Sequence, residues 1–308
     1  MRAESRILTQ LEAAKERGIL QSEIAKILNL SKSTVSDILS ELERKKLIVR
    51  EEVSPKSYRV WLTKHYPGAI EGVVRIGILK ASEYVKVVRA GERVEAIFKV
   101  YRNALEATKD LIHGVTDIVA SPFITQAFFG VLMKNIRIFR VVAMNGSGVV
   151  LSSGRGFGCS EFSTMERILR KYLRTKNLKE DLRFFESPEE MISELGNLRG
   201  IAIWEPYLSG FEKIERFEEI VGDFVCCSLA ANKGFLEKNP TIFENFLSEY
   251  DRSKPSQGVR RLSEILEVPE DVVRKSLKSY RFDSSFEDLE KEASELSFGK
   301  IQEILSFY

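Results

Sequence analysis

The chain has 308 residues, 44% hydrophobic and 30% charged, a globular balance with length for two or three domains. No apolar run approaches the roughly 18 residues of a membrane helix, and the N-terminal stretch lacks an apolar core with a small-residue cleavage site, so neither a membrane span nor an export signal is expected. Cys159, Cys226 and Cys227 make no disulfide framework; with no CxxC and only His65 and His113, no conventional zinc site is expected, and a reducing cytoplasm is the natural setting.

Charge is unevenly placed. Residues 1–66 carry 13 Lys/Arg against 9 Asp/Glu, a net +4, and the remainder carries 34 against 36, a net −2. A small basic head on a mildly acidic body suggests a nucleic-acid partner for the head.

The first helix is expected from about Arg2 to Lys15, with Ile7, Leu8 and Leu11 at helical spacing and Gly18 placed to end it. Ser22 is read as the N-cap of a second helix that turns Ile24, Ile27 and Leu28 inward, and Asn29 as the left-handed turn residue. Ser31 caps a third helix with Val35, Ile38, Leu39 and Leu42 in one buried stripe. Its other face offers Lys32, Ser33, Thr34, Ser36, Asp37 and Ser40, small polar groups and a lysine suited to phosphates and base edges in a major groove. Asp37 repels phosphate, and so points either to base selectivity or to a solvated position. Ala25, Asn29, Val35 and Ile38 fall where a helix-turn-helix needs a small residue, a turn former and two branched apolar residues.

Leu47–Leu62 follows as two alternating runs around Ser54-Pro55-Lys56-Ser57, a hairpin wing with Lys56 at its tip and Arg59 beside it. This head, residues 1–66, resembles the MarR/Lrp-like winged helix domains of bacterial and archaeal regulators. That resemblance implies double-stranded DNA as partner; the competing reading is a winged helix used only for protein contact. Pro67, Gly68 and Gly72 mark a linker at 67–72, in a stretch without periodicity that also holds His65.

The body, 73–308, alternates strands and helices, which gives an α/β fold class. Strands are expected at Val73–Leu79, Arg93–Tyr101, Asp117–Ala120 and Ile136–Ala143, with helices at Asn103–His113 and 123–133. A second unit follows: a strand at Val149–Ser153, a flexible Gly154–Gly158, a helix opened by Ser160, Ser163 and Thr164, a strand near Leu182–Phe185, a helix at Pro188–Leu195 and the stretch Gly200–Tyr207. Helices are expected through Val259–Tyr308. Ligands bind such sheets at the carboxyl ends of strands, so the loops of interest are Lys80–Ser82, Ser121–Phe123 and Asn145–Ser147. The helix start at Ser163 and Thr164 is a ready anion site, or else only capped by those hydroxyls.

Three stretches carry a second resemblance: Ala104–Pro122, the GIAIWEPY of Gly200–Tyr207, and the NKGFLEKNP that opens Asn232–Leu247. The body is similar to type II periplasmic binding proteins of the nitrate/sulfonate/taurine and thiamine-pyrimidine group. The short helix near Ala81–Ala90 and the abbreviated segment before Ser160 depart from that group. The resemblance implies two lobes, the second at about 150–220, closing on a cleft, with the chain crossing near Ala143–Val150 and returning near Val221–Ala230. It implies ligand contacts from Ser121, Phe123, Ser147, Ser160, Ser163, Thr164, Trp204 and Glu205. Each has a purely structural alternative, as core, cap or turn residue.

Together these readings describe a ligand-responsive transcription regulator, homodimeric, with a small-molecule effector, anionic among the options, and with no catalytic residue, metal or cofactor. The alternatives are an enzyme of the same fold acting on a pyrimidine or menaquinone-type precursor, and a solute receptor that does not bind DNA. The fused head and the missing leader count against the receptor. The lack of a histidine, lysine or carboxylate constellation counts against the enzyme.

Overall fold

A computed structural model describes residues 3–296, 300–306 and 308. Arg2, the expected first residue of the first helix, lies outside them, as do parts of the expected tail helix at 297–299 and 307. The chain divides into two compact units, Met1–Gly68 and Ala69–Tyr308.

The first unit holds helices Ala3–Ala14, Gln21–Leu28 and Lys32–Arg44 and a three-stranded sheet ordered Ile19–Leu20, Ser57–Leu62, Ile48–Ser54. Ile7, Leu11, Ile24, Leu28, Val35, Leu39 and Val60 fill its core. Asn29 is left-handed, at φ 51° and ψ 50°. Three expectations are corrected. The second helix starts at Gln21, with Leu20 as its N-cap, whose N–H donates to Glu23, so Ser22 is inside the helix. Ile27 is 55% exposed, because the buried stripe is centred on Ile24, Ala25 and Leu28. His65 is buried within this unit, 3.3 Å from Glu12, rather than free in a linker.

The second unit has two lobes. Lobe one is a six-stranded mixed sheet ordered Tyr280–Arg281, Ile136–Asn145, Val225–Asn232, Ile118–Pro122, Arg75–Leu79, Ile97–Tyr101. Lobe two is a five-stranded sheet ordered Leu182–Phe184, Phe157–Cys159, Gly200–Trp204, Ser147–Leu151, Ile214–Arg216. The chain crosses at Asn145-Gly146 and returns at Phe224; Asn145 N–H donates to the Phe224 carbonyl, 3.2 Å, where the two crossings meet. Gly146 is required there: its φ is +81° and an added Cβ would lie 1.9 Å from the Tyr280 ring.

Arg75 and Asp117, both buried, tie the first strand of lobe one to its neighbour. Arg75 Nε lies 2.9 Å from Asp117 Oδ2 and its Nη2 2.8 Å from Oδ1, with a further bond to the Gly114 carbonyl. Burial pushes the Asp117 carboxyl up, and the hydrogen bonds from Arg75 oppose it.

Several expected boundaries move. Residues 85–93 are helix, closed by Ala96 N–H on the Gly91 carbonyl with Glu95 left-handed, so the strand expected from Arg93 begins at Ile97. The Gly154–Gly158 stretch runs into the strand Phe157–Cys159, held in parallel by Leu182–Phe184 and Gly200–Ile201. Ile214–Arg216 and Tyr280–Arg281 are strands that periodicity did not reveal, being only three and two residues long. The tail helix ends at Ser294.

Candidate functional site

The head presents one polar face. Ser31, at the N-cap of Lys32–Arg44, accepts from Thr34 N–H at 3.0 Å, and the Ser33 and Thr34 hydroxyls each lie 2.8 Å from its Oγ. Lys32, Ser33, Thr34 and Asp37 are exposed and Ser36 is half-buried. Lys56 is exposed at the wing tip with a left-handed backbone, and its N–H bonds Glu52 at 3.0 Å. Arg59 is elsewhere engaged: its guanidinium donates to the Arg17 carbonyl at 2.9 Å. Sequence reasoning missed Arg50, which bonds Glu43 through Nε at 2.9 Å and so braces the wing against the recognition helix.

In the second unit a cavity of about 30 Å³ lies between the lobes, enough for roughly two water molecules. The lobes are drawn together around it. Trp204 Nε1 donates to the Lys80 carbonyl at 2.9 Å, Lys80 pairs with Glu189 at 2.9 Å, and the Thr125 hydroxyl donates to the Phe162 carbonyl at 2.6 Å.

Of the eight residues expected at the ligand, Ser160, Thr164 and Trp204 line this cavity. The other five are not in its wall. Ser121 accepts from buried Gln126 at 3.0 Å, and Phe123 is core. Ser147 is wholly buried, and its hydroxyl has no hydrogen-bond partner. Ser163 caps the helix Thr164–Thr175 and bonds Ser160 at 2.8 Å. Glu205 is buried in a cradle made by Ser209 N–H and hydroxyl, Arg216 and Ser279 at 2.8–3.1 Å, which hold the turn at the cis Glu205-Pro206 peptide. His113 follows the helix Ala104–Ile112 as its C-cap and is exposed.

The cavity floor is made of residues that the sequence did not single out as ligand contacts. Glu83, Cys226 and Cys227 are buried there, with Tyr84 beside them. Glu83 Oε1 lies 3.1 Å from Cys227 Sγ and 3.9 Å from Cys226 Sγ, and the two sulfurs are 3.9 Å apart. Tyr280 donates to Glu83 Oε2 at 2.7 Å, and the Tyr84 hydroxyl is 3.4 Å from Cys227 Sγ. Burial pushes the Glu83 carboxyl up against the bonds from Cys227 and Tyr280, and pushes the Cys227 thiol well up. A carboxyl and two thiols, all pushed by burial toward their neutral forms, share this floor.

Residues 2–56 match the model of the MarR family. No curated protein matches the chain. The body is similar in fold to solved solute-binding proteins. One is the ligand-binding component of an ABC-type import system from Staphylococcus aureus, solved with zinc bound, at TM-score 0.66 and 14% identity, covering 76% of this chain and 96% of that one. Another is the alkanesulfonate-binding protein from Xanthomonas axonopodis pv. citri bound to MOPS, at 0.59 and 14%, covering 77% and 96%. A third is the periplasmic nitrate-binding protein of Synechocystis, at 0.57 and 12%, covering 70% and 72%. The chain thus joins a MarR-type winged helix-turn-helix to a body with the type II periplasmic binding protein fold. Among the described residues, no helix is long and apolar enough to cross a membrane.

Proposed function

We propose that the protein is a cytoplasmic, homodimeric transcription regulator whose affinity for duplex DNA is set by a ligand bound between the lobes of its body. The observation that carries this reading is the presence, in one chain, of a MarR-type head with an open polar recognition face and a two-lobed body with a cavity between its lobes. In this mechanism, Lys32, Ser33, Thr34 and Ser36 enter the major groove while Lys56 on the wing reaches the backbone. Dimerisation places two recognition helices about one DNA turn, roughly 34–36 Å, apart. The ligand favours one arrangement of the lobes, and it shifts the DNA-competent population by its difference in affinity for the two states. A sulfonate or other organic anion enters only when the contacts of Trp204 and Lys80 open.

The test is selection of duplexes from a random pool by the full chain, followed by anisotropy titrations over a range of salt. A specific site is expected. Lys32→Ala weakens binding to all duplexes and lowers the salt slope by about one ion. A chain that binds no duplex, or whose binding is indifferent to Lys32→Ala and Ser36→Ala, overturns the DNA-reading half. A DNA affinity that no organic anion, thiamine precursor, amino acid or metal ion changes overturns the sensing half.

A further inference from the structure

We propose that Glu83, Cys226 and Cys227 form a binding site for one thiophilic divalent ion of the zinc and cadmium class at the floor of the interlobe cleft. The ligand set comes first. Two thiols and one carboxyl, wholly inside the protein, all present donor atoms within 4.8 Å of one another. Thiolate donors select zinc-like ions over magnesium or calcium, which take oxygen only.

The backbone is shaped to bring these atoms together. Neighbouring residues of a regular strand point to opposite faces, so adjacent cysteines should diverge. Here the strand Val225–Asn232 breaks register between Val225 and Cys227 and again between Cys227 and Ser228. That irregularity turns both sulfurs to one side, 3.9 Å apart. A disulfide is not the purpose: adjacent Cα atoms are ~3.8 Å apart, short of the ~4.4–6.8 Å that bonded cysteines span.

The spacing fits a metal. A tetrahedral zinc with bonds of about 2.3 Å to sulfur and about 2.1 Å to oxygen puts two sulfurs about 3.8 Å apart, and sulfur and oxygen about 3.6 Å apart. The observed separations are 3.9 Å between sulfurs and 3.1 and 3.9 Å from Glu83 Oε1 to the two sulfurs. Shifts of a few tenths of an ångström complete the three-ligand set. The cavity of about 30 Å³ beside them has room for a water as fourth ligand.

Outer partners are in place as well. Tyr280 donates to Glu83 Oε2, and Tyr84 is within reach of Cys227 Sγ, so both hydroxyls orient and stabilise ligands once they become anions. On binding, two metal–sulfur bonds and one metal–oxygen bond form, and the protons that the ligand groups carry pass to solvent.

The site stands on its own geometry. That the ion is also the signal rests on the function proposed above. Glu83 and Tyr280 belong to lobe one, and the Tyr280 hydroxyl is also 3.2 Å from the carbonyl of Glu205, where lobe two begins its turn, so occupancy bears on the lobe junction.

The experiment uses the full chain, reduced and stripped with a chelator, then titrated with Cd²⁺ and Zn²⁺. Expected are one ion per chain by elemental analysis and an ultraviolet cadmium–thiolate band. The Cys226→Ser/Cys227→Ser double variant loses both, and Glu83→Gln weakens binding by more than the roughly 100-fold that an outer partner is worth. Cys159→Ser, in the strand Phe157–Cys159, keeps both. Tyr280→Phe lowers affinity about 10-fold to 100-fold and keeps the ring, so it decides the matter if the double variant does not fold. No ion bound, binding that survives in the double variant, or affinity unchanged in Tyr280→Phe overturns the site. The DNA titration is then repeated with and without Cd²⁺. Binding of the ion with no change in DNA affinity keeps the site and overturns its role as signal. A DNA response to another ligand, with no ion bound, overturns the site and keeps the ligand-responsive function proposed above.

Discussion

The recognition face of the head and the floor of the cleft are opposite kinds of site. The first is built from one run, Ser31–Asp37, whose polar side chains are exposed or half-buried and whose spacing comes from a single helix. The second is assembled from Glu83, Cys226, Cys227 and Tyr280, spread across the body's sequence, and all of it is buried. A surface site built on a helix tolerates change and costs little to keep. A buried polar cluster is held in place only by the packing and hydrogen bonds of everything around it. Mutations in the body should therefore act on stability first, and mutations in the head on binding first.

The largest effect expected is at Arg75. Arg75→Ala leaves the Asp117 carboxyl buried without its partner and should cost about 3–5 kcal/mol. The chain has one tryptophan in each unit, Trp61 and Trp204, so denaturant titrations of Trp61→Phe and Trp204→Phe backgrounds follow the units separately. The loss should be seen by Trp204 alone. An equal loss reported by Trp61 would show that the two units unfold together, and the comparison would fail.

The contrast also explains what could be read in the sequence. The helix-turn-helix was legible because Ala25, Asn29, Val35 and Ile38 lie within fourteen residues at spacings fixed by one helix pair. The two lobes were legible through local runs such as Gly200–Tyr207. The cleft floor was not. Cys226 and Cys227 entered the sequence reading only as cysteines without a disulfide framework, and only the break in register beside Ser228 turns them together. Glu83 read as part of a short helix, with nothing in the run to show that it is buried. Ser121, Phe123 and Glu205 stand beside the right loops, but their side chains serve Gln126, the core and the Glu205-Pro206 turn. Strand ends mark where a cleft is; side-chain direction decides which residues reach it.

A middle-sized effect is expected at Gly146, where the chain passes from lobe one to lobe two. Its left-handed backbone, and the Tyr280 ring only 1.9 Å from where a Cβ would sit, leave no room for alanine. Gly146→Ala should cost about 1–3 kcal/mol, again seen by Trp204 and not by Trp61. Because Tyr280 is the residue displaced, Cd²⁺ affinity should fall with stability. Unchanged metal affinity in a destabilised variant would separate the hinge from the floor.

The smallest effect on stability, and the sharpest on the comparison, is expected at Ser31. Its hydroxyl accepts the Thr34 N–H and is shared with the hydroxyls of Ser33 and Thr34, so one exposed side chain both caps the recognition helix and orders two of its proposed contacts. Ser31→Ala should cost the head about 1 kcal/mol, followed through Trp61. Its effect on DNA binding should exceed what that loss implies, because a head with several kcal/mol in reserve stays folded while Ser33 and Thr34 lose their fixed rotamers. Ser31→Asp restores a cap acceptor and should recover the stability, yet it sets a carboxylate where phosphate must approach, so DNA affinity should fall further. If both variants change DNA affinity only in proportion to stability, the face is a structural surface after all, and the distinction between a head that reads and a body that packs is lost.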